Sequence, residues 1–197
     1  MDTEPRYVAF AGARLLIDGP ASEALPILKR RFEKGQFEDV LVFDAATGRQ
    51  IEIDLSPPLP DLLERAAGEA PRGPGRPKLG VTSREVSLLP RHWDWLEAQQ
   101  QGISAAIRRL VEQEMKRNPG RERARRIRAS LNHILTALAG NRPNYEEATR
   151  ALFADDVAAL EGLVERWPRD LRDYAVQRAR AARAAEHGGP PHDAEAD

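Results

Sequence analysis

Residues 71–80 read PRGPGRPKLG, and six of the ten are proline or glycine. Each proline removes a backbone donor and each glycine raises the entropy lost on ordering, so no helix or central strand crosses this stretch. Pro57, Pro58 and Pro60 extend the interruption upstream. The sequence is therefore expected to divide around a Pro/Gly-rich linker over 56–80, with a short helix from Asp61 to Ala67 inside it. A chain of 197 residues leaves room for modest domains on either side, not for a large enzyme core.

Upstream, residues 7–55 read as a small α+β unit in the order ββαββ. Tyr7 to Gly12 and Ala13 to Ile17 resemble two short strands, and Asp18-Gly19-Pro20 reads as a break. Ser22 is placed to cap a helix reaching about Phe32, with Leu25, Leu28 and Phe32 at helical spacing and Gly35 as its stop. Val40 to Phe43 forms an apolar strand, Ala45 to Gly48 a turn, and Ile51, Ile53 and Leu55 alternate with charge. One helix is expected to cover one face of the resulting sheet.

Downstream, residues 81–117 read strand, helix, turn, helix. Val81 to Leu89 is extended, Pro90 opens a helix carrying Trp93 and Leu96 on one face with Trp95 pointing away, and Gly102 ends it. Ser104 is placed to cap a second helix with Ile107, Leu110 and Val111 as its buried stripe. After Asn118-Pro119-Gly120, residues 121–186 read as an all-helical domain, with Asp155 as a cap and Pro168 at the start of the last helix. The tail, 187–197, has the composition of a disordered segment.

Charge is unevenly spread. The net formal charge is −1, yet residues 71–130 carry 14 Lys/Arg against 6 Asp/Glu while the flanks are acidic. A basic centre suits a polyanion, although a solvated helical face has the same composition. Three motifs occupy that centre. The strand, Pro90 junction and SAAIRRLVEQ helix resemble the ribbon-helix-helix DNA-binding fold. That resemblance implies a homodimer, because one copy leaves its strand edge and helix faces bare, and implies a two-stranded ribbon in the major groove with a phosphate at the helix start near Ser104. The phase departs from the fold's pattern: Leu89 falls on the core side with Ser87 and Glu85, leaving Arg84, Val86 and Leu88 toward the groove. Gly75-Arg76-Pro77 matches the centre of an AT-hook, a minor-groove element, though Pro74 stands where the usual hook has arginine. Lys116-Arg117 and the five arginines of Arg121 to Arg128 could add sequence-independent phosphate contacts, offset in part by Glu122.

Other classes are poorly represented. With no cysteine there is no disulfide or thiolate chemistry, which fits a reducing cytoplasm. The start, MDTEPRYVAF, does not read as a signal peptide, and no apolar run spans a membrane. His92, His133, His187 and His192 lack metal-ligand spacing, and neither a phosphate loop nor a Gly-x-Ser-x-Gly elbow occurs. No cofactor, metal or catalytic set is expected, so the chain is not read as an enzyme.

Taken together, YVAFAGARLLIDG, EDVLVFDAATGRQIEIDL, GRPKLGVTSREVSLLPRHWDWLEAQ, GISAAIRRLVEQ and YEEATRALF resemble a bacterial family of uncharacterised proteins, the domain-of-unknown-function family numbered 2239. The resemblance covers roughly 5 to 183 and implies one architectural unit, with no activity attached.

The leading expectation is a cytoplasmic, dimeric protein that binds double-stranded DNA as a transcription regulator. Its candidate contacts are Arg72, Arg76, Lys78, Arg84, Ser87, Ser104, Arg108 and Arg109. The alternative is a protein-interaction adaptor, such as an antitoxin-like partner, that does not read DNA.

Overall fold

The structure, a computed structural model, describes residues 4–67 and 84–188. Two compact units divide the chain: one joins the N-terminal segment to everything from Gly120 onward, and the other comprises Pro71–Pro119. The fold is α+β, with a four-stranded antiparallel sheet and eight helices among the described residues.

The first unit begins with β1 (Arg6–Ala11), β2 (Arg14–Pro20), α1 (Ala21–Glu33), β3 (Val40–Asp44) and β4 (Gln50–Ile51), followed by α2 (Leu59–Ala66). The sheet order is β2-β1-β3-β4. Two boundaries differ from the sequence reading. β2 runs through Asp18-Gly19-Pro20, with Pro20 opposite Arg6. β2 is an edge strand, where the missing amide of a proline leaves no ladder bond unmade. Conversely, β4 stops at Ile51; Glu52 to Leu55 leave the ladder, and Leu55 is buried beside α1 and α2.

Period-two alternation in β1 and β3 organises this unit. Ala9, Val40 and Val42 face a cluster built with Ala21, Leu25 and Leu28 of α1 and Leu62 of α2. Val8, Phe10 and Phe43 face the other way, into a second cluster. Its helices are α5 (Pro119–Ala139), α6 (Tyr145–Phe153), α7 (Val157–Val164) and α8 (Arg169–His187). Leu131, Ile134 and Leu135 of α5, Leu152 of α6, Leu160 of α7 and Leu171 and Tyr174 of α8 all join it. The sheet thus has helices on both faces. The sequence reading kept 1–55 and 121–186 as separate domains and covered one sheet face only; the shared core joins them. Phe10 meets Tyr174 edge-on at 5.4 Å, and truncating a buried ring of this kind costs about 3–5 kcal/mol. Burial pushes the Tyr174 phenol well above its usual range, so it stays protonated.

Polar ties fix the docking. Leu15 N donates to Asp170 Oδ2 at 3.0 Å, and Ser130 Oγ to Ala45 O at 2.9 Å. His133 Nδ1 lies 2.8 Å from Thr47 O; a carbonyl only accepts, so this nitrogen carries the proton. The Ala45–Gly48 turn is held by Asp44, whose Oδ1 accepts from Thr47 N and Oγ1, both at 2.7 Å. Gly48 has φ +67°, and a Cβ there would lie 2.0 Å from Ser130 O.

A charged clamp joins α5, the α6–α7 turn and the end of α8. Arg128 donates to Asp155 Oδ1 at 2.6 Å and to Glu186 Oε2 at 2.7 Å, and His187 Nε2 reaches Asp155 Oδ2 at 3.1 Å. Asp155 sits at φ +58° and is spent in this clamp. The cap of α7 is instead Asp156, whose Oδ1 accepts from Ala159 N at 2.9 Å. His187, assigned from sequence to the tail, is the last residue of α8; residues 189–197 lie outside the described residues. Partial burial raises the Asp155 carboxyl, but the hydrogen bonds from His187 and Arg128 and the nearby arginine charges outweigh it and hold it below its ordinary value.

Two outcomes are expected in urea unfolding followed by circular dichroism. Gly48→Ala should lose about 2–4 kcal/mol through left-handed strain and collision with α5, whereas Gly162→Ala, at an exposed helical position with nothing near its Cβ, should gain about 0.5–1 kcal/mol. The depressed Asp155 carboxyl contributes stability that is present above the unfolded-state value of about 3.9 and is lost as pH falls through the folded value. Asp155→Asn keeps a residue type tolerant of positive φ. It should therefore lower the melting temperature at neutral pH and flatten its decline below about pH 4.

Candidate nucleic-acid interface

The second unit contains α3 (Pro90–Glu97) and α4 (Ile103–Arg117). Pro90 opens α3 at its first position, where the absent amide has no intrahelical partner to lose, and Leu89 before it is extended at φ −67°, ψ 150°. Upstream, residues 84–89 form no strand in the single chain. An isolated strand has no ladder partner, so a ribbon would need a second chain. The expected side-chain phase also differs, since Leu88 is half-buried while Val86 and Leu89 are exposed.

The cap of α4 differs from the sequence reading as well. The capping position is Gly102, at φ +77°, and Ser104 is the second helical residue, with no side-chain cap bond at that end. A residue with positive φ ends the Gln99–Gln101 turn and aims the first amides of α4 outward, which glycine does at no steric cost.

The candidate contacts fall into three groups. Arg72, Arg76 and Lys78 lie outside the described residues. Arg84 and Ser87 are exposed on the irregular segment before α3. Ser104, Arg108 and Arg109 are exposed on α4. Of these, Ser104 and Arg108 come together, one helical turn apart, on a shallow depression of about 480 Å³ lined also by Glu97, Gln101 and Gly102. Helix-start amides and a guanidinium favour an anion there, and the Glu97 carboxylate opposes it. Arg109 is rotated about 100° from Arg108.

Charge is less concentrated than the sequence suggested. Residues 84–119 carry six Lys/Arg against five Asp/Glu. The basic excess lies instead in Arg72, Arg76 and Lys78 and in the first turns of α5. There, Arg125 and Arg126 each bond to Glu122 at 3.1 Å. The bond from Arg125 and then that from Arg126 lower the Glu122 carboxyl from its usual range. Arg121 and Arg123 are exposed and make no ion pair among the described residues. Arg128, counted from sequence as a phosphate contact, is only 9% exposed and bound within the clamp. The signal was present in the sequence, since Arg128 falls on the Ala124–Leu131 stripe that α5 buries.

The stripe on α4 differs most from expectation. Leu96 is buried on α3 and Ala106 on α4, but Leu110 is 43% exposed, Val111 51% and Met115 52%. Val86, Leu89 and Trp95 are also exposed, so six of the eight exposed large apolar side chains of the described residues belong to this small unit. α3 has eight residues against fifteen in α4, too few to cover the distal turns. Among the described residues no group of three or more His, Cys, Asp or Glu is placed to hold a metal, and no helix is long and apolar enough to cross a membrane.

A profile of the family described as "Uncharacterized protein conserved in bacteria (DUF2239)" matches residues 6–179. No curated protein and no solved structure matches the chain.

The cap assignment has a direct check. Gly102→Ala should destabilise α4 by about 1–2 kcal/mol through left-handed strain, and Ser104→Ala by less than about 0.5 kcal/mol, the range of an exposed substitution. Helicity and unfolding midpoints from circular dichroism distinguish the two; a larger loss for Ser104→Ala would return the cap to the serine.

Proposed function

We propose that this chain, which belongs to that bacterial family, is a dimeric protein that binds double-stranded DNA and acts as a transcription regulator. The observation that carries the reading is the bare apolar surface of the second unit. A hairpin leaving Leu110, Val111 and Met115 in water is an incomplete core, and a second copy is the commonest completion. Pairing two copies doubles every basic group. The pair then carries two copies each of Arg72, Arg76, Lys78, Arg84, Arg108 and Arg109, in number enough to neutralise several phosphates. The Gly75-Arg76-Pro77 sequence suits a narrow minor groove, and the residues ahead of Pro90 suit the adjacent major groove. The sheet-bearing unit then serves as the rigid body to which the DNA-binding unit is attached.

A second reading draws on the near balance of charge over residues 84–119. On that reading the same apolar surface seizes a different protein, as an adaptor or an antitoxin-like partner would, and the basic linker is incidental.

Fluorescence anisotropy with duplex DNA separates them. Binding should be measurable at about 50 mM salt and should weaken steeply as salt rises. Arg76→Ala with Lys78→Ala should flatten the slope of log K against log salt by about one unit per lost phosphate contact. Absence of binding at low salt rejects the DNA reading. Copurification of a stoichiometric protein without nucleic acid favours the adaptor.

A further inference from the structure

We infer that the chain's own acidic stretch at 193–197 folds back onto the first two turns of α5 and sets its carboxylates against Arg121 and Arg125. The contact stands whether or not the chain binds DNA. Its consequence, competition between this stretch and a nucleic-acid backbone for the same arginines, rests on the DNA reading above.

Both stretches belong to the first unit, and the start of α5 packs against the end of α8. A Cβ on Gly120 would lie 2.3 Å from Ala185 O, and Arg128 donates to Glu186, the residue before His187 closes α8. At about 100° per residue, Arg121, Arg125 and Arg128 fall within roughly 60° of arc on α5. The flank that carries Arg121 and Arg125 is therefore the one beside which the chain leaves α8. From Gly188 to Asp193 the backbone can extend about 17 Å, which brings the acidic stretch within reach of that flank.

Charge identifies the occupant. Arg121, Arg123, Arg125 and Arg126 are exposed, and among the described residues the one carboxylate bonded to them is Glu122, shared by Arg125 and Arg126. All four arginines stand in the first two turns of a helix, where the macrodipole disfavours cations. A further anion there relieves both their mutual repulsion and the dipole. Residues 189–197 supply Asp193, Glu195 and Asp197 and contain no Lys or Arg. These acids alternate with alanine, so an extended backbone presents them on one side about 6.6 Å apart. Arg121 and Arg125 are separated by a rise of about 6 Å along α5, a close match. Pro190 and Pro191 favour the extended backbone that leads there. Exposed ion pairs are individually weak, but segments of one chain meet at the high effective concentration of an intramolecular contact.

The chain contains no cysteine, so Ala196→Cys in the full-length protein accepts a single nitroxide label for NMR. At about 50 mM salt the label should broaden the amides of residues 121–126, and about 0.5 M salt should remove most of that broadening. Neutralising the stretch by Asp193→Asn, Glu195→Gln and Asp197→Asn should do the same. Competition is read by anisotropy with a heparin oligosaccharide and with duplex DNA. Ending the chain after Gly188, which keeps the α8 cap, should tighten heparin binding by roughly threefold or more. In an Arg121→Gln, Arg125→Gln background the same truncation should change it by less than about 1.5-fold. Broadening that is absent, or that salt and neutralisation leave unchanged, overturns the contact. A truncation gain that persists in the double-glutamine background marks general repulsion of polyanions and overturns the assigned site. Salt-sensitive broadening in a chain that binds no duplex DNA upholds the contact and removes the DNA reading.

Discussion

Val8, Ala9 and Phe10 are consecutive in β1, and none of them touches solvent. A strand points successive side chains to opposite faces, so three buried neighbours require apolar cover on both sides of the sheet. α1 and α2 provide one cover, and α5 to α8, more than a hundred residues away in sequence, provide the other. The rest of the first unit follows from that demand. Ser130 and His133 anchor the β3–β4 turn, Asp170 secures the edge strand at Leu15, and Gly48 lets the turn approach α5 closely. The Arg128 clamp then ties the middle of α5 to the α6–α7 turn and the end of α8, closing the helical layer.

The second unit stands in contrast. Among its described residues the buried side chains are Leu96 on α3 and Ala106 on α4, one per helix. So small a core leaves the distal apolar side chains of α4 exposed, and a cluster of exposed apolar side chains marks a surface suited to contact. The two units thus divide the work by degree of completion. One is packed on both faces of its sheet, and the other presents unburied surface beside basic sequence. A DNA-binding dimer and a protein adaptor would both use such a surface.

The sequence was legible where local chemistry dominates. Pro90 as a helix start, Asn118 as the break between α4 and α5, Gly35 as the end of α1 and the Tyr145–Phe153 helix could all be read from spacing and from residues with special backbone preferences. Legibility failed where a residue has two uses. Asp155 looked like a cap, but it occupies a positive-φ turn and binds Arg128, leaving the cap to Asp156. Arg128 looked like one more surface arginine in a basic run. Pro20 looked like a break, because edge and central strands cannot be told apart before pairing is known.

By itself, the sequence determined the helix and strand types of the first unit, the two helices of the second and the positions of the basic residues, since these depend on dihedral preference, periodicity and composition over a few neighbouring positions. Only the tertiary structure decided that the N-terminal sheet and C-terminal helices share one core, that Arg128 is bound internally and that the outer half of α4 is bare. Burial depends on which distant segments meet. An apolar stripe in sequence specifies that something must cover it, and the folded chain decides whether the cover lies within the molecule.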